Sequence, residues 1–289
     1  MIMIDTAALL TWFDLHERPL PWRKKNTSAW GILISEVMSQ QTPVSRVAPQ
    51  WQEWIERWPT PADLAKASKA EVLRAWGKLG YPRRALRLHE CAQAIVDKHG
   101  GEVPDIVDEL LALPGIGAYT ARAVACFHFG QNVPVVDTNV RRVYGRAVTG
   151  QFLQPQPSTK ELAQVAEVTT GPRCSAALME LGALVCTAKS PKCAECPIAH
   201  SCQWQQLGCP QPSEEELAKA KKRVQKFTGT DRQVRGLLMD VLRAADAPVE
   251  KSQLDVVWPD AAQRSRALFS LIDDGLAVQT PTGTFHLPR

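Results

Sequence analysis

Apolar residues recur every three to four positions along most of the chain, the period of helices with one buried face. Residues 6–16 carry this pattern, and Leu20-Pro21-Trp22-Arg23 breaks it. Ser28 is placed to cap a helix running through Trp30, Ile34 and Val37 that stops before Thr42-Pro43. Val47, Trp51, Trp54, Ile55 and Trp58 form the next stripe, which reads as core packing. Ser68 with Glu71, and Ser158 with Glu161, have the spacing of capping boxes. Gly80 and Gly100-Gly101 are expected helix stops. No alternating run precedes residue 275, so the expected fold class is all-α over the first two hundred residues.

After Cys209 the pattern changes. Pro210-Gln211-Pro212-Ser213 is a breaker, and residues 214–226 are polar all round, ending in the basic run Lys221-Lys222-Arg223. Helical periodicity returns over 234–242, 252–257 and 261–272, and the tail around Pro281-Thr282-Gly283 reads as a two-stranded ribbon. Three short helices and a hairpin predict a winged-helix-like domain. The expected organisation is a core over 1–208, a charged linker over 209–230 and a small domain over 231–289.

Composition narrows the class. A chain of 289 residues, 45% hydrophobic and 22% charged, is an ordinary globular chain with room for two domains that each bury a core. No stretch approaches the roughly 18 apolar residues of a membrane helix, and the first residues lack the basic segment of a signal peptide. The chain is therefore expected in the cytoplasm, away from membranes. A net charge of +4 permits a nucleic-acid partner without demanding one.

Four of the eight cysteines lie close together: Cys186, Cys193, Cys196 and Cys202 are separated by six, two and five residues. In a reducing compartment such crowding means metal, and spacing alone admits structural zinc or an iron–sulfur cluster. A second feature is Leu113-Pro114-Gly115-Ile116-Gly117-Ala118-Tyr119 between two apolar helices. Gly115 and Gly117 would let the backbone turn tightly and offer N–H groups to an anion such as a DNA phosphate, although a plain inter-helix turn uses the same residues. A third is a pair of carboxylates. Glu36 sits in an apolar helix, where desolvation would raise its pKa, and Asp137 precedes a helix that it would cap and so stay ionised. One protonated and one ionised carboxylate is the division of labour that breaks glycosidic bonds, but a surface residue and a simple cap would look alike. Phosphate-binding loops, zinc-protease helices and hydrolase elbows are absent, and the six histidines do not cluster.

Together these segments resemble the helix-hairpin-helix DNA glycosylases with an iron–sulfur cluster, and most closely the adenine DNA glycosylases of MutY type. The resemblance rests on Leu20-Pro21-Trp22-Arg23, on Ser35-Glu36-Val37-Met38-Ser39-Gln40-Gln41-Thr42, on Leu79-Gly80-Tyr81, on the 113–121 hairpin, on Val136-Asp137-Thr138-Asn139-Val140-Arg141-Arg142 and on the four cysteines. It covers residues 5–208, about 70% of the chain. It implies a two-lobed fold, a monomer, one [4Fe–4S] cluster on the four cysteines, and hydrolysis of adenine from a mispair with 8-oxoguanine or guanine in double-stranded DNA. Glu36 resembles the acid that protonates adenine N7, and Asp137 the carboxylate that stabilises the sugar cation. Asn139 and Tyr119 match residues that orient them. Gln41 and Tyr81 match wedges that enter the duplex; Gln40, Thr42, Arg23, Gly115 and Gly117 match further DNA contacts. Where the related lyases carry a Schiff-base lysine this chain has Tyr119, which implies base removal without strand cleavage.

The chain departs from the family at Ser39, where Leu is usual, at Ala176, where a base-reading Gln or Glu is usual, and at Thr138. It also has too few residues after 208 for the Nudix-like domain that reads 8-oxoguanine in longer members, so lesion recognition would rest elsewhere. Two other readings use the same features: a glycosylase for another mismatched base, and a cluster-containing DNA-binding regulator. Arg264 and Arg266 of the last predicted helix, with the 221–223 run, are expected on DNA phosphates, or the C-terminal domain docks a repair protein.

Overall fold

The computed structural model describes residues 4–153, 159–166, 171–221 and 227–289. In chain order its helices are α1 (Thr6–His16), α2 (Ala29–Ser39), α3 (Val44–Arg57), α4 (Pro61–Ala65), α5 (Lys69–Trp76), α6 (Arg83–His99), α7 (Val107–Leu111), α8 (Ala118–Phe127), α9 (Thr138–Ala147), α10 (Thr159–Ala166), α11 (Gly171–Leu184), α12 (Gln203–Gln206), α13 (Glu214–Lys221), α14 (Asp231–Ala244), α15 (Lys251–Asp255) and α16 (Ala261–Asp273). The strands β1 (Val278–Gln279) and β2 (Phe285–His286) follow. The all-α expectation holds. Among the described residues no helix is long and apolar enough to cross a membrane.

The chain forms two compact units. The first comprises Met1–Ile32, Asp105–Asp108 and Gly117–Arg223; the second comprises Leu33–Pro104, Glu109–Ile116 and Val224–Arg289.

In the first unit α1, α9 and α11 share one core, where Leu9, Trp12 and Phe13 meet Val140, Val143, Leu178 and Leu181. These positions recur at three to four residues, so each helix commits one face. α11 lies hard against α9 at Gly182: a Cβ there would stand 2.6 Å from the Asn139 Cβ. The same unit buries a carboxylate, Glu180, with 0% exposure. Its carboxylate accepts Arg18 Nε and Nη2 at 2.7 and 2.9 Å and Arg23 Nη2 at 3.0 Å. Burial alone would push this carboxyl up, but the hydrogen bonds from Arg18 and Arg23 outweigh it and hold the pKa below the ordinary range.

The second unit is organised by tryptophans. Trp54 packs edge-on against Trp58 and Trp76, with ring centres 4.9 and 5.5 Å apart. The Ser68–Glu71 capping box forms as expected, and Thr60 with Asp63 makes another at α4. The Ser158–Glu161 box lies outside the described residues. Gly100 stops α6 in the left-handed conformation, but α5 stops at Gly77 (φ 53°), three residues before the expected Gly80. In the C-terminal segment, α14 and α16 bury Val234, Leu238 and Leu242 with Ala267, Leu268 and Leu271. The ribbon pairs Val278 with His286, and Val249 bridges to Phe285 along its other edge. α14 sits on α5: Arg74 donates to the carbonyls of Arg243 and Ala245, while Arg243 Nε donates to Leu73 O.

Candidate active site and cysteine centre

Glu36 lies on α2, half-buried, with Leu33, Ile34, Val37 and Met38 buried around it. Asp137 is the N-cap of α9, as its sequence position requires. Oδ1 accepts the Val140 N–H at 2.7 Å, and Oδ2 accepts Asn139 Nδ2 at 2.7 Å. These donors favour the ionised form, yet burial dominates and raises the Asp137 pKa. The expected cap forms, and the carboxylate sits in a desolvated place where its charge is costly. Such a charge gains most from a cation placed beside it. Tyr119, at the start of α8, is half-buried and packs with Met179 against Ala123, Cys126 and Val135. Ser39 and Ala176 are both half-buried, on α2 and α11.

Asn139 is itself held. Its Oδ1 accepts Arg142 Nη2 at 2.6 Å, and that nitrogen also donates to Gly182 O at 2.6 Å. One turn on, Arg146 is 2% exposed and stacks its guanidinium over Phe152 at 4.2 Å. It donates to Thr187 O at 2.7 Å and to Cys186 Sγ at 3.4 Å.

The four cysteines line one pocket together with Val185, Pro191, Ala199 and Trp204. Burial, with smaller contributions from the neighbouring sulfurs, pushes the Cys196 thiol up to about 12. Metal binding would displace that proton, since the thiolate is the ligand. Zinc binds four sulfurs at about 2.3 Å from one point. Four sulfurs lining one pocket are a donor set for either centre, a single zinc or a cluster of several irons.

Gln41 and Tyr81 share an unusual backbone. Both are non-glycine residues in the left-handed region, with φ of 53° and 47°. Such strain persists only where surroundings enforce it. Here Arg84 does so. Its Nη1 donates to the carbonyls of Val37, Met38 and Gln40 at 2.9, 3.1 and 2.7 Å. Its Nη2 donates to Thr42 Oγ1 and Gly80 O, both at 3.0 Å, and its guanidinium lies 5.5 Å from the Tyr81 ring centre. Gln40 and Gly115 line a pocket with Arg83, Arg84 and Arg87. Gly115 has φ 76°, and a Cβ there would strike the Arg87 side chain at 2.8 Å. Gly117 is the exposed N-cap of α8.

Three arginines expected on DNA are engaged within the protein. Arg23 is committed to Glu180 and stacks over Phe13 at 5.5 Å. Arg264 donates to Asp255 and Trp258 O, and Arg266 holds Asp231 through two bonds of 2.8 and 3.0 Å. The Lys221-Lys222-Arg223 side chains lie outside the described residues. Sequence reasoning missed Arg84, Glu180 and Gly182. For Gly182, a glycine inside a helical pattern was the available signal.

Residues 34–169 match the HhH-GPD superfamily of base excision DNA repair proteins, and residues 186–202 match the iron–sulfur binding domain of endonuclease III. The chain is 58% identical to the adenine DNA glycosylase of Mycolicibacterium smegmatis, covering 98% of this chain and 96% of that one. It is 39% identical to the human adenine DNA glycosylase over 69% of this chain and 39% of that one. Among solved structures, a thermostable thymine-DNA glycosylase superposes with a TM-score of 0.64 at 27% identity, over 70% of this chain and 95% of that one. A non-covalent endonuclease III–DNA complex gives 0.60 at 26%, over 70% and 94%. The chain belongs to the adenine DNA glycosylase family, a base-excision enzyme that binds DNA, acts on adenine and carries a [4Fe–4S] cluster.

Proposed function

We propose that this glycosylase removes adenine mispaired with 8-oxoguanine or guanine, as a monomer acting on the chromosome, and leaves the strand intact. Glu36 donates a proton to adenine N7, which turns the base into a neutral leaving group. Asp137 stabilises the positive charge that develops on the sugar, and water completes the hydrolysis. Asn139 and Tyr119 orient these groups. Gln41 and Tyr81 act as wedges that support flipping of the adenine, with Gln40 and Thr42 beside them. Gly115 and Gly117 bring backbone N–H groups to phosphate. Cys186, Cys193, Cys196 and Cys202 hold the cluster, whose contribution is to fix the cysteine loop. The 1–208 core carries the chemistry, and the 231–289 domain follows the 209–230 linker.

The observation that carries this reading is Asp137: a desolvated carboxylate with two fixed donors, ready for a cation that exists only in the transition state. Single-turnover release of adenine opposite 8-oxoguanine, guanine and cytosine tests it. Release should be fastest opposite the first two, and Glu36→Gln should slow it by about 10²–10⁴-fold while duplex binding persists. A Glu36→Gln enzyme at wild-type speed refutes the mechanism. Borohydride should trap no covalent complex with DNA, because Tyr119 offers no amine.

A further inference from the structure

The C-terminal segment reaches Tyr81. Arg232, in the first turn of α14, donates from Nη1 to the Tyr81 hydroxyl at 2.8 Å. Its guanidinium carbon lies 5.9 Å from the Tyr81 ring centre and 5.3 Å from that of Phe227. Both rings are open to solvent, Tyr81 at 44% and Phe227 at 51%. Two exposed aromatic faces around an exposed cation form a surface suited to a nucleobase, since every base has a face for stacking.

Most arginines of this segment are paired with carboxylates. Arg235 pairs with Asp274, Arg243 with Asp240, Arg264 with Asp255 and Arg266 with Asp231. Among the described residues Arg232 has no carboxylate partner, and only one of its five N–H donors is engaged by a hydrogen bond. The turn that presents it is firmly set. Phe227 O accepts Thr230 Oγ1 at 2.6 Å, Gly229 N donates to Gln233 Oε1 at 2.8 Å, and Gly229 O accepts Gln263 Nε2 at 3.0 Å. Asp231 is locked by Arg266, which pulls its pKa down to about 2. Arg83 with Asp274, 3.1 Å apart, ties α6 to the end of α16. Arg232 and Phe227 are thus placed beside Tyr81 by a braced element.

We propose that Tyr81, Phe227 and Arg232 form the binding site for the purine left opposite the extruded adenine, with the rings as stacking faces and the free guanidinium donors on its carbonyl oxygens. This rests on the mispair reading above. Guanine presents O6 and N7 acceptors to an arginine, and the oxidised base presents O6 with an added O8 oxygen. The small C-terminal segment thereby supplies a reader of the opposite base.

The test uses the full-length, cluster-loaded enzyme and duplexes with adenine opposite 8-oxoguanine, guanine or a tetrahydrofuran abasic analogue. Arg232→Ala and Phe227→Ala should slow single-turnover release opposite the two purines by about tenfold or more, the scale of one lost base contact. Release opposite the analogue should stay within twofold of wild type, because no base is there to read. Arg232→Gln, which keeps polarity without charge, should show the same pattern. Equal slowing on all three duplexes would mean that Arg232 only braces the fold, and no change on any would mean that it touches nothing; either overturns the proposal. A wild-type enzyme that discriminates while its variants discriminate equally refutes this site alone. A wild-type enzyme indifferent to the opposite position refutes the mispair reading as well, and leaves adenine removal standing.

Discussion

Arg142 donates from Nε to the carbonyl oxygen of Cys186 at 2.6 Å, so α9 is fastened directly to the backbone of the first cysteine of the centre. The other side of the guanidinium holds Asn139, and Asn139 holds Asp137. A buried arginine that serves three acceptors in a plane cannot be matched by an ammonium. Arg142→Lys should therefore leave Asn139 and Asp137 loosely placed. We expect base release to fall by about 10²-fold, the cost of a misplacement near 1 Å, with duplex binding and iron content little changed. Single-turnover rates with iron analysis on the same sample check this.

The Asp137 carboxyl should set the acid limb of the pH–rate profile. Burial raises its pKa above the ordinary 3.8, while the Val140 and Asn139 donors oppose the rise. Activity that needs the ionised form should fall as pH drops through a midpoint above that ordinary value. Asn139→Ala removes one opposing donor, so the midpoint should move further up. The stability sign agrees: the folded state binds this proton more tightly than the unfolded chain does. Stability from this group therefore decreases as pH rises from 3.8 through the folded value. An unmoved midpoint in Asn139→Ala would assign the acid limb to another group.

Gly182 gives a test of helix contact rather than chemistry. An added methyl would meet Asn139 at 2.6 Å for Cβ and 2.9 Å for the backbone oxygen, and backbone cannot step aside cheaply. Gly182→Ala should destabilise the protein by about 1–3 kcal/mol through overpacking and shift Asn139. Calorimetry should show the lowered Tm, and the rate should fall more than stability alone explains. Gly236→Ala, with no atom within 4 Å of the added Cβ, is the control.

How far the sequence carried is clearest in these residues. Periodicity located the long helices because each buries one face, and cysteine spacing located the metal because four thiols in seventeen residues serve little else. The Asp137 cap was legible, since a capping residue acts on its own neighbours. Its raised pKa was not, because burial is set by distant packing. Arg264 and Arg266 looked like DNA contacts, and their partners Asp255 and Asp231 become visible only once the helices are folded together. Arg84 gave no signal: one arginine in an amphipathic helix does not announce the carbonyls it will meet.

Removing the cluster's ligands should separate structure from chemistry. The purified chain should contain about four irons and visible charge-transfer absorption. Cys196→Ser should lose most of the iron and lower Tm, since the thiol lines the pocket together with Val185 and Trp204. One zinc per chain with negligible iron would overturn the assignment.

Arg84 joins the end of α2 to the two strained turns. The carbonyls of Val37 and Met38 belong to the last turn of α2, where no further helical N–H is available, and Arg84 Nη1 satisfies both. A cation there also opposes the negative end of the helix that carries Glu36. The same group reaches Gln40 O before Gln41, and Gly80 O before Tyr81. Burial lowers its pKa to about 10, so it stays charged at neutral pH. Arg84→Lys retains the charge but cannot span acceptors on both turns, and hydrogen bonds to a charged group contribute about 1.5–3 kcal/mol each. We expect Gln41 and Tyr81 to relax from positive φ, Tm to fall, and release of adenine from duplex to slow by about tenfold or more. The readout specific to the turns is the substrate: adenine in an unpaired bulge, already unstacked, should be released with a much smaller loss than adenine in a full duplex. Equal losses on both substrates would mean that Arg84 acts on α2 and Glu36 rather than on the wedges.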